Sequence, residues 1–244
     1  MKNVHKKTIF VILISIFAFG TSSVYAQDLS SIDGSATTTS SIDIDMGVDI
    51  MSSFIRRGLK YGNGAAIQSF VELTSNNFTL GAWNNISTGS NEAFEVNLYT
   101  SYEFPFGVTI GIKDYFGNGN VFGTNFENLG KTHSLEPSLA YKYGDLTFFG
   151  ALMFYQNKAG EAAQDFYGEI AYAFNLFDLA IGAGNGRYVT SPQWGTVGEF
   201  AICNLTISKE KTIKITDSFS LPMKGAITLN PYNERFYAYV GISL

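Results

Sequence analysis

In 244 residues the chain carries 21 acidic and 16 basic side chains, a single cysteine, five prolines, and 14 Tyr, 21 Phe and 2 Trp. An acidic chain without a clustered Lys/Arg run lacks the footprint that nucleic acid requires, and it offers no basic patch for docking on anionic lipid. One thiol, Cys203, can form neither an internal disulfide nor a Cys-based zinc cluster.

At the N-terminus, Lys2, Lys6 and Lys7 precede an apolar run over 9–20, which ends at the small-residue pattern Val24-Tyr25-Ala26. A charged start, a short apolar stretch and an A-x-A-like site read as a secretory signal peptide over 1–26. The apolar run falls well short of the roughly 20 residues that a membrane-spanning helix needs. The residue directly after the cleavage site is Gln27 rather than Cys, which argues against a lipid-anchored lipoprotein. Cleavage removes three of the basic residues and no acidic one, so the mature chain has 13 bases against 21 acids, a net charge of −8. A periplasmic N-terminal segment over 27–41 then leads into one domain over 42–244.

From residue 42 onward the pattern is two-residue alternation bounded by Gly, Asn, Asp and Ser clusters, the mark of half-buried strands. Ile42, Ile44, Met46, Val48 and Ile50 alternate with Asp43, Asp45, Gly47 and Asp49. Phe94, Val96 and Leu98 oppose Glu95 and Asn97; Val108, Ile110 and Ile112 oppose Thr109, Gly111 and Lys113. Leu135, Leu139 and Tyr141 face away from Glu136, Ser138 and Lys142, and Phe166, Ile170 and Tyr172 from Asp165, Tyr167 and Glu169. The last segment sets Phe236, Ala238, Val240, Ile242 and Leu244 against Arg235, Tyr237, Tyr239, Gly241 and Ser243. The pattern predicts about twelve strands, one hairpin more or fewer: 42–57, 65–75, 77–88, 93–104, 106–116, 132–142, 145–157, 164–175, 177–186, 196–214, 218–230 and 234–244. Each is near the nine to eleven residues of a tilted membrane strand.

Connector lengths sort as a membrane barrel requires. Starting in the periplasm, every second turn is short, as at Ser75-Asn76-Asn77, Pro105-Phe106, Tyr143-Gly144-Asp145, Asn175-Leu176 and Thr216-Asp217. The two longest connectors, 117–131 and 186–195, belong to the opposite, outward set. Aromatics near strand ends (Tyr61, Phe104, Tyr141, Tyr143, Phe154, Tyr172) suit interfacial girdles. The final alternating strand ending Val240-Gly241-Ile242-Ser243-Leu244 suits recognition by the barrel-insertion machinery, although that strand more often ends on Phe. The expected fold is therefore all-β, a single up-and-down antiparallel transmembrane β-barrel in the outer membrane, among lipid and lipopolysaccharide. A soluble sandwich or lipocalin-like barrel also alternates, but its polar face would not mix Gly, Ser, Thr, Asn and Tyr with scattered charges as a wet lumen does.

On that parity Asp43, Asp45, Asp49, Glu72, Glu95, Glu103, Glu136 and Glu169 point inward, as do Arg57, Lys113, Lys142, Lys224 and Arg235. A charge facing lipid at the bilayer midplane would cost about 2–4 kcal/mol, which is why these are placed inside. Met51 and Ile55 also fall on the inward parity, so a bulge among 51–55 would flip the register around Arg57. If it holds, Arg57 is expected to pair with at least one of Asp49, Glu72 and Glu95. Two readings of the lumen stand together: a pore with a modest cation preference for small hydrophilic solutes, or a network of paired charges that plugs a barrel with a structural or loop-binding role. Phe116, Phe122 and Phe126, around the long connector at 117–131, could fold into the mouth as a constriction or face outward.

Ser53-Phe54-Ile55-Arg56-Arg57-Gly58, Ala66-Ile67-Gln68 and Gly81-Ala82-Trp83, followed by Glu95-Val96-Asn97-Leu98-Tyr99 and Gly111-Ile112-Lys113-Asp114-Tyr115, resemble the TorF family of putative porins. Members carry an aromatic-x-x-Arg-Gly strand end, then an Ala-x-Gln strand and a Gly-Ala-Trp strand. The likeness is most specific over 49–115 and gives way to the barrel pattern from about residue 185. It implies an outer-membrane barrel with a porin-like role, and no catalytic residues.

Chemistry finds little footing. With His5 in the leader, His133 is the one histidine of the mature chain, and its neighbour Ser134 would point to the other side of the strand. There is no Gly-x-Ser-x-Gly elbow. Gly182-Ala183-Gly184-Asn185-Gly186 fits no nucleotide loop, and alternate glycines in a strand instead let another backbone or a folded-in loop approach. Neither an enzyme, a cofactor nor a metal site is expected.

Overall fold

The computed structural model describes residues 42–89, 94–116, 133–156, 162–190 and 198–244. The expected leader and the segment over 27–41 lie outside the described residues, as do Phe122 and Phe126.

Among the described residues fourteen strands occur in chain order: β1 Ile42–Met51, β2 Phe54–Arg56, β3 Leu59–Tyr61, β4 Ala66–Ser75, β5 Phe78–Ser87, β6 Phe94–Glu103, β7 Val108–Phe116, β8 His133–Tyr143, β9 Leu146–Gln156, β10 Ala162–Ala173, β11 Asp178–Gly184, β12 Ala201–Lys214, β13 Ser220–Asn230 and β14 Arg235–Ser243. Twelve of them close an antiparallel up-and-down barrel, β1 pairing with both β4 and β14. The remaining two, β2 and β3, form a separate hairpin.

Alternation places side chains as it does in any pleated strand. Ile44, Leu98, Ile112, Leu139, Leu152, Ile170 and Ile227 stand exposed on the outside. Gln68, Asn85, Asn97, Glu136, Asp165, Glu169, Asn204 and Thr228 are buried inside. The barrel is thus apolar outward and polar inward, the reverse of a water-soluble domain. Its two rims differ. At one end the strands join through tight turns, with positive φ at Asn76, Gly107 and Gly144. Aromatic pairs ring that end: Tyr102 with Phe104, Phe104 with Phe106, Tyr172 with Phe174, and Phe174 with Phe177. The other end carries the longer connectors.

β1 does not run on to residue 57 as alternation suggested. After Met51 the wall ends with Ser52, whose N–H donates to the Val240 carbonyl at 2.8 Å, and the chain turns into the lumen. Phe54, Ile55 and Leu59 are then buried at 1%, 4% and 3% exposure. Three consecutive cross-strand pairs, Phe54 with Tyr61, Ile55 with Lys60 and Arg56 with Leu59, leave Arg57-Gly58 as a two-residue turn. Both turn residues have positive φ, 50° and 78°, as the tightest hairpin turns require. Met51, Phe70, Trp83 and Tyr239 of the wall pack around the hairpin. Burying an apolar side chain contributes about 1.5–3 kcal/mol, so Phe54, Ile55 and Leu59 are the main reason the hairpin lies inside.

Candidate functional site

The lumen is the site, and the hairpin divides it. Its tip crosses from the β1/β4 wall towards the far side of the barrel. The Gly58 carbonyl accepts from Asn230 Nδ2 at 3.0 Å. A Cβ on Gly58 would lie 1.7 Å from the Cys203 carbonyl oxygen, so the tip backbone rests directly on β12. Cys203 sits at a β-bulge: Gly182 pairs with Asn204 while Ala183 pairs with Ile202, which leaves Cys203 as the extra residue and turns it inward beside Asn204. The folded-in backbone expected beside the glycine run of β11 is present one strand away. Gly182 itself makes room for the Tyr167 hydroxyl, 2.1 Å from where its Cβ would stand.

Two arginines anchor the tip. Arg57 grips Glu136 of β8 with both guanidinium nitrogens, at 2.6 and 2.9 Å. The hydroxyls of Tyr115 and Tyr188 donate to the same carboxylate at 3.0 and 2.6 Å, so a group only 1% exposed is fully engaged. Arg57 also lies over the rings of Phe149, Tyr167 and Tyr188, at 5.3, 4.7 and 5.0 Å from their centres. Its neighbour Arg56 pairs with Glu95 of β6 and is ringed by Phe54, Tyr61 and Tyr115 at 5.5, 4.8 and 4.8 Å. Asn97 Nδ2 supports Glu95 at 2.8 Å. Guanidinium groups desolvated between aromatic faces gain cation–π attraction as well as the ion pair.

The inward set inferred from parity is inward. Asp45, Asp49, Glu72, Glu95, Glu103, Lys113, Glu136, Lys142, Glu169 and Lys224 lie on the luminal faces of their strands, with Asp43 and Arg235 on the same faces at the rims, where both are exposed. Glu72 accepts from the Tyr99 hydroxyl at 2.7 Å, and Lys113 lies 5.3 Å from the centre of the Tyr99 ring. Glu169 takes hydrogen bonds from Tyr167 and, at 2.8 Å, from Asn204.

Four expectations need correction. Arg57 is luminal, but it arrives on the hairpin rather than on the wall. Its partner is therefore Glu136 rather than Asp49, Glu72 or Glu95. Tyr61 belongs to the hairpin and packs 5.1 Å from Phe54, so it is no girdle residue. Phe116 is no mouth constriction: on β7 the inward parity falls to Tyr115, and Phe116 packs against His133, ring centres 4.8 Å apart. The connector over 186–195 does not simply lie outside either. Its first part forms a 3-10 turn, Gly186–Tyr188, tucked into the mouth, where Tyr188 and Val189 are buried. Arg187 reaches the Ser134 hydroxyl at 2.8 Å and lies 4.6 Å from the Tyr155 ring centre. His133 and Ser134 do point to opposite sides: His133 meets Asp114 at 2.7 Å, while Ser134 serves Arg187.

Sequence reasoning missed Arg56, Arg187 and Tyr188. The signals were present. Ser52-Ser53 breaks the alternation, Arg57-Gly58 between Phe54-Ile55-Arg56 and Leu59-Lys60-Tyr61 has the length of a hairpin turn, and Met51 and Ile55 stood on a parity meant for polar groups.

Beneath the hairpin a cavity of about 330 Å³ runs toward the short-turn rim, where Asp145, Asn175 and Lys209 border it. Phe54, Arg56 and Gly58 bound it at the hairpin end, and Trp83, Asn97 and Glu169 line its wall. Water and small solutes fit in such a space. No protein-family model and no curated protein matches this chain.

Proposed function

We propose that this chain is an integral outer-membrane β-barrel acting as a constricted channel for small hydrophilic solutes, the porin-like role that its TorF-like motifs imply. The short-turn rim faces the periplasm and the long connectors face outward, among lipopolysaccharide. The observation that carries the reading is the vestibule of about 330 Å³ ending on a hairpin seated across a polar lumen. A barrel with an apolar outside needs lipid around it, because exposed apolar area on this scale aggregates in water. Asp43, Asp45, Glu103 and Asp145 near the periplasmic mouth, with Lys142 and Lys209 among them, support a weak preference for cations. The final strand, β14, is the segment for the insertion machinery to read.

The test is single-channel conductance of the refolded protein in a planar bilayer, beside a variant in which 52–65 is replaced by Asn-Gly. That turn joins Met51 to Ala66, which already pair directly across β1 and β4. Small wild-type conductance, a larger one in the variant and a reversal potential favouring potassium are expected. A second reading, the plugged structural barrel, is favoured by the complete pairing of Arg57 and Glu136. It requires a silent wild type. If the variant is silent too, the channel reading fails.

A further inference from the structure

Buried polar groups almost always find partners, and an unmatched one costs about 1–3 kcal/mol. Two such groups belong to residues of the vestibule wall. Trp83 Nε1 and Asn97 Oδ1 are buried and have no hydrogen-bond partner. Their residues are 6% and 1% exposed. Trp83 and Asn97 are direct cross-strand partners of β5 and β6, and both line the cavity. One offers a donor, the other an acceptor. Asn97 is held in place by its other end, since Nδ2 is engaged by Glu95.

Two of the charges around the same cavity have counterparts close by. Glu169 is satisfied by Tyr167 and Asn204, and Lys224 lies in the field of Glu210, Asp49 and Asp178. Two uncharged lining groups are left unmet, a donor and an acceptor on paired residues of adjoining strands, in a cavity also lined by the aromatic side chains of Phe54, Phe149 and Tyr239. Alcohol hydroxyls can meet both needs, accepting from the indole N–H and donating to the amide oxygen. The volume, about 330 Å³, is at the small end of ligand pockets and suits a solute of monosaccharide size.

We propose that Trp83 and Asn97 form a subsite for a small neutral polyhydroxylated solute, a sugar or polyol, held in the vestibule below the hairpin. This deepens the channel reading by naming its solute class, and it rests on that reading for the passage of the solute, not for its binding.

The test is binding without transport. Detergent-refolded protein is titrated with D-glucose and followed by saturation-transfer NMR, with glycine as a zwitterionic comparison. Glucose should give a saturable signal, glycine should not compete for it, and Trp83→Phe, which keeps a ring and removes only the N–H, should weaken binding about five- to tenfold. Asn97→Leu provides a second variant, with heat-dependent gel mobility reporting that each barrel is closed. Absence of saturable glucose binding would mean that water alone satisfies the pair, and the proposal falls. It falls equally if glycine binds instead or if Trp83→Phe leaves glucose affinity unchanged. Glucose binding by a protein silent in the bilayer would leave the subsite standing and remove the channel; conductance without glucose binding would do the opposite.

Discussion

Arg57→Ala severs the contact that pins the hairpin to the far wall, and its size can be worked from the geometry. Glu136 is 1% exposed and accepts from both Arg57 nitrogens, at 2.6 and 2.9 Å. Removing one partner of such a buried pair costs about 3–5 kcal/mol, because the remaining charge stays desolvated. Tyr115 and Tyr188 still donate to Glu136, which puts the loss near the lower end, about 3 kcal/mol. Phe54, Ile55 and Leu59 remain buried, each contributing about 1.5–3 kcal/mol, so the hairpin loosens rather than leaves. A loss of about 3 kcal/mol at about 1.4 kcal/mol per decade raises the population of the released hairpin roughly a hundredfold. Cys203 reports it. The thiol is fully buried and the tip at Gly58 lies on its carbonyl, so labelling by a maleimide requires the hairpin to lift. Labelling of the refolded barrel in vesicles should therefore speed up about a hundredfold in Arg57→Ala. Arg57→Lys keeps the charge but not the fork, and should fall between, at about tenfold. Adding Glu136→Gln to Arg57→Ala removes the stranded charge and should recover part of the protection. If Arg57→Ala labels as slowly as the parent, the ion pair does not hold the hairpin and this account of the occluded lumen is wrong.

Gly58→Ala combines a positive φ with a Cβ 1.7 Å from the Cys203 carbonyl, so the tip should fail to seat, and bilayer conductance should approach that of the hairpin replacement. Leu98→Arg, on the outward face in mid-strand, should lower the guanidinium unfolding free energy in vesicles by about 2–4 kcal/mol, while Ser101→Arg on the luminal face costs at most about 1 kcal/mol. A neutral Leu98→Arg would mean that the outer face meets water. With Cys203 silent, Tyr232→Cys should react with an impermeant maleimide on intact cells and Asp145→Cys should not; the reverse would invert the assigned polarity.

The wall of the barrel was legible because its cause is local. A pleated strand alternates at period two whatever lies around it, and an apolar outer face with polar groups inside makes that alternation chemically sharp. Hence the strand segments from Ala66 to Ser243 fall within a few residues of where alternation placed them, and Glu72, Lys113, Glu136 and Lys224 point where parity said. The clear failure, at residues 52–61, has an equally physical origin. Ser52-Ser53 and the inward parity of Met51 and Ile55 mark a local break in the strand, but whether Phe54, Ile55 and Leu59 then face lipid past a bulge or a protein interior is not written in the neighbouring residues. That choice depends on whether a barrel of twelve strands leaves a lumen that a two-stranded hairpin can fill. It depends as well on Glu136, 79 positions along the chain, being within reach of Arg57. Alternation is set between neighbours in the chain, whereas partner choice across a closed barrel is set by its circumference, and only the folded wall supplies that distance.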